Sequence, residues 1–285
     1  MKTLNEILSD ARNGNYAIGH FNFATVDVLR AIVEGSKEAG ASAVMVGTSQ
    51  GEADFLGMRE AVALVHIIRT EHNFPVYLNA DHFKSFEKCH EAIERGYDSV
   101  AIDASKLPYN ENIELTKRVV KYAHRPGRNI TVEGELGYLR GSSQIQKSIE
   151  ITLEDYTKPK EVSDFVEKTE VDRLAVVFGN IHGVVTKQRE RLDIAHLERI
   201  VEKSSNAHLV LHGASGLLDK EILSAIKAGI VNVHFNTELR VAYAKAIEES
   251  FHKSEKQETT PYKYLSPAAE EVKKLVIHKT KLFMQ

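Results

Sequence analysis

The sequence predicts an α/β fold, a closed (β/α)8 TIM barrel with one additional C-terminal helix. Three observations carry that expectation. Eight short, β-rich apolar runs alternate with eight helical patterns along 285 residues, the arithmetic of such a barrel. The runs are continuously apolar, as parallel strands covered on both faces should be. The first strand-to-helix turn, His20-Phe21-Asn22-Phe23-Ala24-Thr25, lacks the glycines with which an open doubly wound sheet would hold a nucleotide.

In chain order, strands are expected at residues 16–23, 43–47, 76–78, 99–102, 129–132, 173–178, 208–211 and 230–235. Helices are expected at 25–39, 54–72, 85–95, 110–124, 160–169, 193–204, 219–228 and 237–251. Ser85, Asp193 and Asp219 can each accept from the orphan N–H groups of a first turn, so they are expected N-caps. Gly40, Gly96 and Gly229 follow the last periodic residues and stop their helices. Residues 1–10 read as the start of an amphipathic helix. Two segments interrupt the pattern. Residues 138–157 are polar, contain Gly141-Ser142-Ser143-Gln144 and read as a mobile active-site loop. Residues 254–267 read as a hydrophilic connector before a last helix at 268–282, so that a helical extension occupies about 254–285 of a single domain spanning 1–285.

Composition narrows the function. Hydrophobic residues make up 42% and charged residues 27%, with a net charge of −3, which fits a soluble globular protein and argues against nucleic acid as the main partner. The single cysteine, Cys89, lacks metal-ligand spacing and reads as structural. No apolar h-region opens the chain, and no apolar run reaches the roughly 18 residues of a membrane span. A cytoplasmic location is the expectation.

In a barrel the strand C-termini share one face, and that face carries the active site. The run Val76-Tyr77-Leu78-Asn79-Ala80-Asp81-His82 delivers an acid and an imidazole to it. Other strands end on Asn22, Ser49, Asp103, Glu133 with Glu135, Asn180 with His182, His212, and Asn236-Thr237. Any one of the 13 histidines is more simply a surface or hydrogen-bonded residue. His82, His182 and His212, each at or just past a different strand end, together match a catalytic zinc site with an open fourth position. Asp103 and Glu135 fit either of two roles, orienting the histidines or binding a second cation, against the plainer alternative of capping or ion pairing. Whether Glu133 shares a face with Glu135 is open at this point. Leu211-His212-Gly213-Ala214-Ser215-Gly216 exposes backbone N–H groups, and Asn236-Thr237 opens a helix at its positive end; loops after the seventh and eighth strands are the usual phosphate grip of this barrel.

These motifs resemble those of the class II, metal-dependent fructose-bisphosphate and tagatose-bisphosphate aldolases, from about Asn5 to about Lys274. The resemblance rests on Phe21-Asn22, Asp81-His82, Ile102-Asp103-Ala104-Ser105, Glu133-Gly134-Glu135-Leu136-Gly137, Gly179-Asn180-Ile181-His182-Gly183, Leu211 to Gly216, and Asn236-Thr237-Glu238-Leu239. It implies His82, His182 and His212 as zinc ligands and Asp81 as the catalytic aspartate. It links Asp103 and Glu135 to a second metal position. Gly183, Gly213, Ser215, Asn236 and Thr237 match positions around dihydroxyacetone phosphate and a monovalent cation, with Ser49 on the phosphate side; Asn22, Ala214 and His234 complete the implied substrate contacts. The implied activity is reversible cleavage of fructose or tagatose 1,6-bisphosphate to dihydroxyacetone phosphate and glyceraldehyde 3-phosphate, a step of glycolytic carbohydrate metabolism. The implied assembly is a homodimer or homotetramer.

Three positions depart from the family pattern. Asn79 stands where a histidine is common, and His234 where an asparagine is usual. The segment after Glu-Leu-Gly has no acid before Glu150, whereas many members carry a proton-moving acidic pair there. The options are Glu150, Glu154 or Asp155 swinging in, His234 taking the role, or a different phosphorylated substrate. A sugar-phosphate-binding relative without aldol activity is the alternative class, and a zinc hydrolase on the same barrel a third. A Schiff-base route is disfavoured because it needs a buried amine, and the run 173–178 holds no lysine; Lys187 lies well beyond it.

Overall fold

The computed structural model describes residues 1–188, 191–252 and 258–285. A capping box at Thr3 and Glu6 starts helix α1 (Leu4–Gly14). There follow β1 (Ile18–Asn22), α2 (Val26–Glu38), β2 (Val44–Ser49), α3 (Gln50–Leu56), α4 (Met58–His72), β3 (Val76–Phe83), α5 (Phe86–Arg95), β4 (Ser99–Ile102) and α6 (Tyr109–Ala123). The second half comprises β5 (Thr131–Leu136), β6 (Gly141–Gln146), α7 (Pro159–Thr169), β7 (Arg173–Val176), β8 (His182–Val185), α8 (Ile194–Val201), β9 (His208–Leu211), α9 (Asp219–Ala228), β10 (Ile230–His234), α10 (Thr237–His252) and α11 (Pro261–Phe283).

Eight parallel strands close in the ring order β1-β10-β9-β7-β5-β4-β3-β2, as the alternating pattern predicts. The core lies between this ring and the surrounding helices, with Phe21, Phe23, Phe165 and Phe235 among its fully buried residues. A second apolar cluster joins Leu4, Ile7, Leu8 and Ala11 of α1 to Ile18, Met45, Tyr77 and Val231 at the strand N-termini. Helix α1 therefore plugs the floor of the barrel and leaves the C-terminal end as the open face.

Several boundaries differ from expectation, each for a local reason. The helix expected at 54–72 is two, because Gly57 takes φ 91° between α3 and α4. Ser85 and Asp193 cap their helices, but at α9 the cap position is Leu218, and Asp219 instead places its charge in the first turn. Strand β3 runs on to Phe83 and β5 to Leu136, so Asp81, His82, Glu133 and Glu135 lie within strands and not past them. The segment 138–157 holds strand β6, which pairs in parallel with β8 outside the barrel. Of the expected connector 254–267, residues 254–257 lie outside the described residues, and α11 begins at Pro261 and carries Pro267 within it.

Candidate active site and metal centre

Strand β3 delivers two adjacent groups because it breaks its own alternation. Neighbouring residues on a regular strand point to opposite faces. Here the register with β4 shifts between Ala80 and Phe83, and His82 takes a left-handed backbone (φ 51°). Asp81 and His82 both line the cavity at the open end of the barrel. Positive φ on a non-glycine residue is costly and persists only where its surroundings enforce it.

His182 and His212 arrive on turns that touch. The Asn180 side chain accepts from Phe178 N–H at 2.9 Å and donates to the carbonyls of Val176 at 3.2 Å and His212 at 3.0 Å, welding the turn after β7 to the one after β9. Gly213 has φ 68°, and a Cβ there would sit 1.9 Å from the Ile181 carbonyl oxygen. Only glycine admits that approach of two backbones.

His82 meets both of the other imidazoles; the ligand atoms of Asp81, His82 and His212 lie within 4.8 Å of one another, and no such group among the described residues includes His182. The His82 ring lies 4.8 Å from His182 and 4.5 Å from His212, centroid to centroid, with interplanar angles of 64° and 90°. His82 Nδ1 faces Glu135 Oε2 at 3.3 Å and Asp103 Oδ2 at 3.7 Å. His212 Nε2 meets Glu133 Oε1 at 2.6 Å. A ring nitrogen beside a carboxylate carries its proton toward that carboxylate and leaves a lone pair on the other nitrogen. The two remaining nitrogens, His82 Nε2 and His212 Nδ1, face each other 2.8 Å apart. Two lone pairs so opposed call for a shared proton or a cation, with the carboxylates orienting the ligands from behind.

The electrostatics agree. Burial alone would depress the His82 imidazole, but Asp81, then Asp103 and Glu135, raise it well above its ordinary value, so this spot favours positive charge. Burial, followed by His82 and His212, drives His182 well below its ordinary value and leaves a neutral donor. Burial would raise the Asp81 carboxyl, yet His82, His234 and His20 together hold it well below the usual carboxylate range. Asn22 Nδ2 donates to Asp81 Oδ2 at 2.9 Å and fixes its plane.

Besides Asp81 with His82 and His212, and His82 with Asp103 and Glu135, two further groups are near enough to suggest metal ligation, His20 with Asp81 and His234, and Glu133 with His212 and His234. Ring geometry argues against both. The register of β1 with β10 sets His20 beside His234, and their rings stack at 3.7 Å with 6° between planes; His234 and His212 stack at 4.0 Å and 19°. Imidazole lone pairs lie in the ring plane, so stacked rings do not aim at one ion.

The cavity is about 110 Å³. Asn22, Ser49, Asp81, His82, His182, Gly183, His212, Gly213, His234, Asn236 and Thr237 line it. Ser143 and Arg240, which the sequence does not single out, line it too. Ala214 is buried behind the wall, and Ser215 Oγ accepts from Glu238 N–H at 3.3 Å, at the start of α10. Asp103 and Glu135 reach His82 from behind. Glu133 and Glu135 share the inward face, two residues apart on β5. Asp155 is buried and held by Arg140 Nε at 2.7 Å and Thr152 N–H at 2.8 Å; Glu150 and Glu154 are exposed and do not line the cavity. Lys187 is exposed, and no lysine is among the lining residues described. The sequence also passes over His20. Its signal was there in the inward alternation of residues 18, 20 and 22.

Barrel and site together define a (β/α)8 protein whose open end gathers imidazoles and carboxylates able to hold a metal ion. Comparison with known proteins specifies it further. The family model described as "Fructose-bisphosphate aldolase class-II" matches residues 2–285. The fructose-bisphosphate aldolase of Staphylococcus epidermidis (strain RP62A) is 38% identical over 284 residues, 99% of this chain and 96% of the relative. That of Staphylococcus aureus (strain Mu50) is 39% identical with the same coverage. The crystal structure of the YdjI aldolase from Escherichia coli K12 superposes with a TM-score of 0.82 at 31% identity, covering 99% of this chain and 96% of that one. The chain belongs to the class II fructose-bisphosphate aldolase family, metal-dependent lyases.

Proposed function

We propose that the protein catalyses reversible aldol cleavage of fructose 1,6-bisphosphate or tagatose 1,6-bisphosphate to dihydroxyacetone phosphate and glyceraldehyde 3-phosphate. The observation that carries this is the pair of opposed ring nitrogens of His82 and His212 beside Asp81, each ring oriented from behind by a carboxylate. His82, His182 and His212 are the proposed ligand set. Imidazoles favour Zn²⁺ among the available divalent ions. When bound there, Zn²⁺ supplies Lewis acidity toward the ketone and the neighbouring hydroxyl oxygen. Asp81 Oδ takes the proton of the hydroxyl that becomes the aldehyde, and returns it during condensation. Asn22 holds Asp81 in that orientation.

Backbone N–H groups at Gly183 and Gly213, with Asn236 and Thr237 at the start of α10, receive the phosphate; Ser49 and Ser215 support the same side. Ala214 backs that turn. Asp103 and Glu135 orient His82 or accept a second divalent cation, and a monovalent cation fits the glycine-rich turns. Proton exchange at the carbon of dihydroxyacetone phosphate falls to His234. Its imidazole is neutral, lowered to about 4 by burial and then by His212. The binding-only alternative draws on the loop, whose acids are either tied or turned outward. A cytoplasmic homodimer or homotetramer is the proposed form.

Chelation followed by reconstitution is the deciding experiment. Cleavage of both bisphosphates, followed through a coupled dehydrogenase, should vanish after thorough chelation and return with Zn²⁺ or Co²⁺. Activity that survives chelation would sink the metal reading, and a reconstituted protein that binds but cleaves neither sugar would establish the binding-only alternative.

A further inference from the structure

The least expected side chain in the barrel is Arg173. It opens β7 just above the floor, and its guanidinium is 0% exposed. A cation withdrawn from water this completely needs an opposite charge and hydrogen-bond acceptors close by. Arg173 Nη1 donates to Asn232 Oδ1 at 3.0 Å and forms an ion pair with Glu133 Oε2, while Nε has no hydrogen-bond partner. Its Nη2 donates to Asn79 Oδ1 at 3.0 Å and to Ser99 Oγ. These partners come from β10, β5, β3 and β4, and only a planar fork serves four strands at once. The register of β5 with β7 pairs Glu133 with Arg173 directly, so the two meet on the inward face.

Glu133 is the link upward. One oxygen is held by Arg173 and the other lies 2.6 Å from His212 Nε2. The contacts form a buried chain from the floor of the barrel to a proposed ligand. We propose that Arg173 is a positioning residue for the metal centre: it pins Glu133 so that Oε1 accepts a hydrogen bond from His212 Nε2–H, which keeps the proton on Nε2 and leaves the Nδ1 lone pair turned toward the cation. The inference rests on the reading of His212 as a ligand. Without the guanidinium, Glu133 Oε2 loses its nearest partner, and His212 is freer to carry its proton on Nδ1, the nitrogen that must be bare.

The test uses the full chain, stripped of metal and titrated with Zn²⁺ against a chromophoric chelator, with Arg173→Lys, Arg173→Met and the double variant Arg173→Met/Glu133→Gln. Zinc affinity should fall about tenfold in Arg173→Lys and up to about a hundredfold in Arg173→Met, the range found for outer partners of metal-bound histidines. KM for the sugar phosphate should stay unchanged, while kcat recovers as Zn²⁺ is raised. If Arg173→Met fails to fold because Glu133 is left an unpaired buried charge, the double variant removes both charges and carries the test; it too should bind zinc at least about tenfold more weakly. Parental zinc affinity in Arg173→Lys and in the double variant, with only the thermal midpoint lowered, would reduce the pair to a structural ion pair and overturn the proposal. A parent chain that takes up no zinc would overturn the ligand reading itself, and this inference with it.

Discussion

His82 shows how much chemistry one unusual residue can organise. A regular β3 would have sent Asp81 and His82 to opposite faces; the left-handed turn at His82 puts both in the cavity. Asp81 is ionised at neutral pH because its imidazole neighbours outweigh its burial. Removing it should therefore separate catalysis from construction. Asp81→Ala should keep its zinc content and circular dichroism spectrum while kcat falls by about 100-fold or more, the usual share of a positioned acid–base group. Loss of zinc on that substitution would make Asp81 a support for the metal and not the proton carrier. Asp81-His82 was legible in the sequence because an apolar run stops on it. The His20–His234 stack was not, because it depends on which residues fall side by side when β1 closes on β10. Arg173 was hidden for the same reason: an arginine opening an apolar run looks like a strand end until Glu133 is known to face it.

At the scale of elements, the departure that matters is β6. Residues 138–157 show no alternation because β6 is largely exposed on both faces, and periodicity reports only burial. The strand is nevertheless tied down. Gln146 Nε2 donates to the His182 carbonyl at 2.9 Å, Ser143 Oγ lies 2.9 Å from Thr237 Oγ1, and Arg240 donates to Ser143 Oγ at 2.7 Å and to its carbonyl. Arg240 thus stands at the cavity mouth with one hand on the strand. Arg240→Ala should raise KM for the sugar phosphate about tenfold with little change in kcat, the cost of one charge-assisted hydrogen bond. Amide exchange over 141–146 should quicken in the same variant. An unchanged KM with unchanged exchange would show that Arg240 neither meets the substrate nor holds β6. Where burial is complete on both faces, the sequence was a better guide: β4, buried throughout, lies where its apolar run predicts, at Ser99–Ile102.

For the molecule as a whole, stability and catalysis are vested in opposite ends of the barrel. Asp172 is the knot at the closed end, accepting from Val132 N–H at 2.7 Å, Asn5 Nδ2 at 2.8 Å and His124 Nε2 at 2.9 Å. Burial would raise its carboxyl, but His124, Val132 N–H and Asn5 hold it below the ordinary value of 3.8. A depressed carboxylate contributes stability above its unfolded pKa and loses it as pH falls through the folded one. At pH 6, Asp172→Asn should cost about 2 kcal/mol, a thermal midpoint lower by about 3 °C. The gap to the parent should narrow as pH falls below about 4. A gap that does not change with pH would mean the carboxylate is not the knot. The open end, by contrast, hangs on the bare spot at Gly213. Because the turns bearing His182 and His212 rest main chain on main chain there, one methyl group would act as a wedge between them. The gap between those two histidines is gauged by a hydrogen atom that no other amino acid can supply.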